Sequence, residues 1–198
     1  MTIPHFDNDK TIKEKSSLSK IGKEKRSVFF ISVANQTAYD NFKKSIHQTV
    51  KTSTLPGKTI LKNYDQLYIW GLQYYGQNEQ IWNMIKKNDI LFFYRSKKYI
   101  SSAIVEGKED NLEISNHLWG KNESSLDQRG FIVYMLPNKV NFSSIESSSL
   151  NELFGFLRSN WLTDSAQAFH PDDKRVEDVE LRFGSLENAL ENIGISFR

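Results

Sequence analysis

Cysteine is absent from the 198 residues. Disulfides, zinc thiolate sites and a cysteine nucleophile are therefore excluded. No apolar run approaches the ~18 residues that a membrane helix needs, and the N-terminus lacks the apolar core of a signal peptide. These absences predict a cytoplasmic chain with no membrane partner. An excess of one charge is also missing. Lys and Arg number 26 against 24 Asp and Glu, for a net charge of +2, and the pI is about 8.6. That balance permits a polyanionic partner without demanding one, since dedicated nucleic-acid domains exceed a pI of ~9.

Catalytic motifs are missing as well. The four histidines, His5, His47, His117 and His170, form no pair at zinc-helix spacing. His170-Pro-Asp-Asp173 has metal-ligand chemistry, but in a polar stretch it reads as a solvated loop. There is no GxGxxG and no GxSxG. Gly57-Lys58-Thr59 resembles the end of a P-loop, yet Thr52 stands where that motif requires glycine. No catalytic residue, metal site or cofactor is expected, and the chain reads as a binding module rather than an enzyme.

What the chain does have is aromatic residues, at 13% with four Trp, eight Tyr and thirteen Phe. These suffice for a core and for a binding site besides. Length predicts one domain, preceded by a polar, Lys-rich arm over 1–26. Val28–Ala34 reads as a first strand. Ala38, Phe42, Ile46 and Val50 repeat at helical spacing, with Asn35 or Thr37 as cap and His47 on the solvated face. Leu67–Gly71 reads as the second strand, and Ile81, Trp82 and Ile85 as the buried face of a short helix. Ile90–Tyr94 and Tyr99–Val105 flank Arg95-Ser-Lys-Lys98 as a hairpin. Residues 108–127 read as a polar loop carrying Leu118-Trp119-Gly120, with a short element near Leu112–Ile114. Phe131–Leu136 is the next strand, and Val140 and Phe142 form a short edge. A helix bears Leu150, Leu153, Phe154 and Leu157, with Trp161 at its end. Residues 163–180 read as an acidic loop, and Ser185 caps a last helix over Leu186–Ile193 that Gly194 stops. The fold class expected is α+β: a small, curled mixed sheet or barrel flanked by helices.

The order of these signals resembles the EVE and YTH-like branch of the PUA superfamily. The residues that carry it are Val28–Ala34, Tyr68-Ile-Trp70-Gly71, Lys87–Tyr94, Ala103–Gly107, Leu118-Trp119 and Phe131–Pro137, within residues 27–145. Residues 146–198 then form a helical extension of one domain over 27–198. The N-terminal recognition domains of McrBC-type modification-dependent restriction systems are similar. The resemblance implies a reader of DNA carrying a methylated base, flipped into an aromatic cage. It implies Trp70 and Trp119 as walls, with Tyr94, Tyr75 or Tyr74 as a third, because Ser124 stands where the pattern often has another Trp. It also implies Asn35 and Ser32 at the base edge, and a GTPase motor and a nuclease as partners. Lys58, Arg95, Lys97, Lys98, Lys121 and Arg129 are candidate phosphate contacts, each equally readable as a plain surface charge. Trp70 is readable as core, as Trp82 and Trp161 are. A methylated-RNA reader, a protein or small-ligand module, and an enzyme of the related ASCH type are the alternative functions.

Overall fold

The computed structural model describes residues 25–72, 77–120, 130–156 and 168–197. In chain order its elements are β1 (Val28–Ser32), α1 (Gln36–Ser45), β2 (Val50–Lys51), β3 (Gln66–Leu72), α2 (Asn78–Met84), β4 (Ile90–Arg95), β5 (Lys98–Ile104), β6 (Gly107–Asp110), α3 (Leu112–Trp119), β7 (Phe131–Met135), β8 (Val140–Asn141), β9 (Ile145–Glu146), α4 (Ser147–Leu153), β10 (Ala168–Phe169), α5 (Asp173–Phe183) and α6 (Leu186–Asn192). No helix among the described residues is long and apolar enough to cross a membrane.

The strands form two sheets. The first has the order β10-β1-β4-β5-β8 with β9 also on β5, and the second the order β2-β3-β7-β6. β1 and β4 run parallel, from Val28 opposite Ile90 to Ser32 opposite Tyr94. The chain crosses between the sheets at Val105-Glu106. Val105 N donates to Asp89 O and Glu106 N to Tyr134 O, both at 2.9 Å. A strand that changes sheet in this way makes the corner of a sandwich. The α+β expectation holds, but the described residues form two separate sheets rather than one curled sheet or closed barrel.

Side-chain alternation along the strands then sorts the apolar residues into three layers. Between the sheets lie Phe29, Ile31, Leu91, Phe93, Trp70, Leu72, Phe131 and Val133, closed by Phe42 and Ile46 of the α1 segment and Ile81 of α2. Outside the first sheet, Val28, Phe30, Phe92 and Tyr94 pack on Leu150, Val176, Val179 and Leu190 of the C-terminal helices. Outside the second, Leu67, Ile69, Ile132 and Tyr134 pack on Ile114 and Leu61. This explains the unbroken apolar run at β1: helices and the second sheet cover both of its faces, so every residue of it is buried.

Several boundaries differ from the sequence expectation. Val50 belongs to β2, because α1 ends at Ser45 and both Ile46 N and His47 N fold back onto Phe42 O. The stretch holding Trp119 is β6 followed by α3, where Asn111 Oδ1 caps Ile114 N at 3.1 Å. Part of the expected acidic loop is α5. Asp172 Oδ1 accepts from Arg175 N at 2.9 Å, Val176 and Val179 are buried, and Gly184 ends the helix at φ 81°. Leu157 and Trp161 lie outside the described residues.

Candidate nucleic-acid interface

Trp70 points between the sheets and is only 4% exposed. Its ring meets Phe93 edge-on at 5.4 Å. Its Nε1 donor is buried and has no acceptor among the described residues. Gly71, the next residue, faces the other side of β3, and there the Trp119 ring lies against the strand. A Cβ built at Gly71 would stand 2.5 Å from Trp119 Cζ3. Trp119 Nε1 donates to Ser45 Oγ of α1 at 3.2 Å. The backbone of β3 therefore separates the two tryptophans, and they do not face one another across a slot. The reason is the strand pleat, which sends adjacent positions to opposite faces. Tyr94 is also apart from them: it lies outside the first sheet, edge-on to Tyr99 at 5.7 Å. Three of the expected cage residues are thus in three different layers. Tyr74 and Tyr75 lie outside the described residues.

The carboxyl ends of the parallel pair β1 and β4 bring the other candidates together. Asn35 Oδ1 accepts from Ala38 N at 2.7 Å and caps α1. Ser32 is buried, and its Oγ accepts from Ala34 N at 3.4 Å. Arg95 donates from Nη1 to Val33 O at 3.0 Å and Ala34 O at 3.3 Å. Its Cζ sits 3.6 Å over the centre of the Tyr39 ring. Arg95 is accordingly half-buried and clamps the end of β1 to the start of α1. Tyr39 was not among the sequence candidates. Its spacing of four residues before Lys43 and eight before His47 was the available signal.

The remaining cations are spread out. Lys58 is exposed, as is Lys97 at the hairpin tip, where Ser96 and Lys97 both take positive φ. Lys98 pairs with Glu146 at 3.0 Å. Lys121 and Arg129 lie outside the described residues. Trp82 stacks on Phe131 at 4.8 Å and donates from Nε1 to Ile132 O at 3.2 Å. Lys108 Nζ lies 4.5 Å from the centre of the Trp82 ring, and burial pulls its pKa below the usual lysine value.

The described residues contain no group of three or more His, Asp or Glu that could hold a metal. His170 instead braces the fold, with Nδ1 2.8 Å from Val28 O and its ring stacked on Phe29 at 4.8 Å. Burial also raises the Asp89 carboxyl, against the opposing pull of Ser27 N at 2.8 Å and Lys86 N at 2.7 Å. Those two bonds tie the N-terminal edge of β1 to the turn before β4, a structural use for the buried carboxyl.

No family model matches this chain, and no curated protein matches it. Among solved structures, the fold is similar to the N-terminal domain of Thermococcus gammatolerans McrB bound to m5C DNA. The TM-score is 0.55 at 20% identity, over 86% of this chain and 100% of that one. At that identity the likeness is one of fold; it agrees with the McrB-like part of the sequence resemblance, in two sheets rather than the curled sheet or barrel expected.

Proposed function

We propose that this chain is a nonenzymatic reader of DNA carrying a modified base. The observation that carries the proposal is the fold likeness to a domain whose structure holds m5C DNA, over nearly the whole of both chains. The finer reading is that the modified base leaves the duplex and enters a pocket with an aromatic wall. Extruding a base costs a few kcal/mol, and stacking on one ring returns about 1–3 kcal/mol. One ring therefore roughly breaks even, so hydrogen bonds or a second ring must complete the site.

Trp70 is the wall assigned here. A buried indole N–H without an acceptor among the described residues is a donor that a base carbonyl or ring nitrogen satisfies. Admitting a base there requires the inter-sheet layer to open. Trp119, held on the opposite face of β3 by Ser45, contributes from outside the pocket rather than as its second wall. Tyr75 stays in the proposal as a sequence candidate for that second wall. Lys58, Lys97, Lys121 and Arg129 stay as phosphate contacts, and Ser32 and Asn35 as base-edge groups. A motor and a nuclease are the proposed partners, since a reader alone does not cut DNA.

Competition tests this. A labelled duplex with one 5-methylcytosine is bound and then displaced by unlabelled unmodified duplex, N6-methyladenine duplex or matched methylated RNA. The proposal expects one modified duplex to displace best. Equal displacement by unmodified duplex removes the reader, and preferential displacement by RNA redirects it to a methylated-RNA reader. A 2-aminopurine probe beside the modified base reports extrusion as a rise in fluorescence, and an unchanged signal in a tight complex removes the flipping step.

A further inference from the structure

One face of α1 alternates rings and cations. Arg95 lies over Tyr39 at 3.6 Å. Lys43, one turn on, has its Nζ 5.2 Å from the centre of the same ring. Lys44 is exposed beside it. His47, two residues past the end of α1, meets Phe142 edge-on at 5.8 Å. Phe142 in turn meets Tyr68 edge-on at 5.8 Å. Phe142 is 43% exposed, directly after the half-buried edge strand β8.

A lone exposed phenylalanine needs no explanation. Here two groups lie along α1 and just past its end, Tyr39 with Arg95 and Lys43 and His47 with Phe142 and Tyr68, and the Asp40 carboxylate beside the first is held by Lys43 at 2.7 Å. Rings at a protein surface stack on bases only where the bases are unpaired, and interleaved cations match the phosphates between them. From Tyr39 to Ser45 the helical rise covers about 9 Å, and the chain then turns out of the helix to His47, so the face is long enough for a short stretch of one strand.

We propose that this face of α1, continued by Phe142 and Tyr68, holds a short unpaired stretch of DNA, with Lys43, Lys44 and Arg95 on its phosphates and Phe142 under a base. The surface rests on the nucleic-acid reading above and borders the Trp70 layer, since Tyr39 and Tyr68 pack on the same inter-sheet core, but its own contacts, Phe142, Lys43 and Lys44, lie outside that core. Arg95 is already fixed by its bonds to Val33 O and Ala34 O, which engage one nitrogen of a group with five donors.

The test uses the full chain and two probes: a single-stranded oligodeoxynucleotide of about 12 nucleotides, within the site sizes of such surfaces, and a blunt 5-methylcytosine duplex. Phe142→Ala should weaken the single strand about tenfold. K43Q/K44Q should lower its salt slope by ~1.4, from about 0.7 per lost contact. Lys174→Gln, on the exposed side of α5, should change neither. The ratio of modified to unmodified duplex binding should be the same in all variants. If wild type prefers the modified duplex while neither variant alters single-strand binding, the track is overturned and the reader stands. If wild type shows no preference but the single strand responds as expected, the reader fails and the track stands.

Discussion

Gly71 is where the Trp119 ring rests on β3, and a methyl group there would overlap Cζ3 at 2.5 Å and Cη2 at 2.8 Å. Gly71→Ala must push that indole off the strand and break its bond to Ser45. The expected cost is about 1–3 kcal/mol, read as a shift in denaturant midpoint. Pairing it with Trp119→Leu should give a double mutant less destabilised than the two single costs together, because the added methyl then has room. Trp70 behaves differently. Trp70→Ala should cost about 3–5 kcal/mol as a core truncation. Trp70→Phe should cost under half of that, since it keeps a ring against Phe93 and deletes a donor that lacks an acceptor among the described residues. Trp70→Phe is therefore the variant for binding work, and an equal loss for both variants in denaturation would contradict the placement. In the sequence Trp70 was readable as core or cage, and strand alternation already implied that positions 70 and 71 diverge. The partner of Gly71 is not readable there, because the polar sequence around Trp119 reads as a loop, and only the helix after Asn111 brings Trp119 back over β3.

At the scale of elements, α1 depends on Asn35, whose side chain caps it at Ala38 N. Asn35→Ala should cost about 0.5–2 kcal/mol of stability, while Asn35→Ser should keep most of the cap. If Asn35 also touches the base edge, Asn35→Ser loses affinity at nearly unchanged stability. If capping is its whole role, affinity follows stability in both variants. The cap, the β4–β5 hairpin and the apolar strands were legible because each rests on neighbours in sequence. Among the elements that the sequence does not show, β6 and α5 are polar, while the short element expected near Leu112–Ile114 is α3, which runs on to Trp119. Lys108, Glu109 and Asp110 of β6 carry little apolar signal and are held by pairing with β7. α5 buries Val176 and Val179 under an otherwise charged sequence. Asp172 before it and Gly184 after it were the punctuation that marked its ends. The two-sheet arrangement was not legible either, since pairings such as β3 with β7 join residues far apart in the chain.

At the scale of the molecule, packing on three layers buries polar groups along with the rings. Burial, with Tyr64 beside it, pushes the Tyr134 phenol up to about 12, and burial pushes Tyr99 up as well. A phenol raised in the folded chain ionises first in the unfolded chain. Its contribution to stability is thus full below the ordinary value of 10.0 and is lost as pH rises through about 12. Stability measured by denaturant should fall over that window, and Tyr134→Phe should flatten the fall. A profile that Tyr134→Phe leaves unchanged would contradict the burial of that hydroxyl. The central claim, a reader of modified DNA, is tested most directly by one titration at two salt concentrations. Matched duplexes carry unmodified bases, 5-methylcytosine or N6-methyladenine. The account predicts that affinity for all three falls with salt, by ~0.9 in log K per phosphate contact per log unit of salt, while the preference for one modified duplex persists at both salts. Equal binding to all three duplexes, or no binding at either salt, would contradict it.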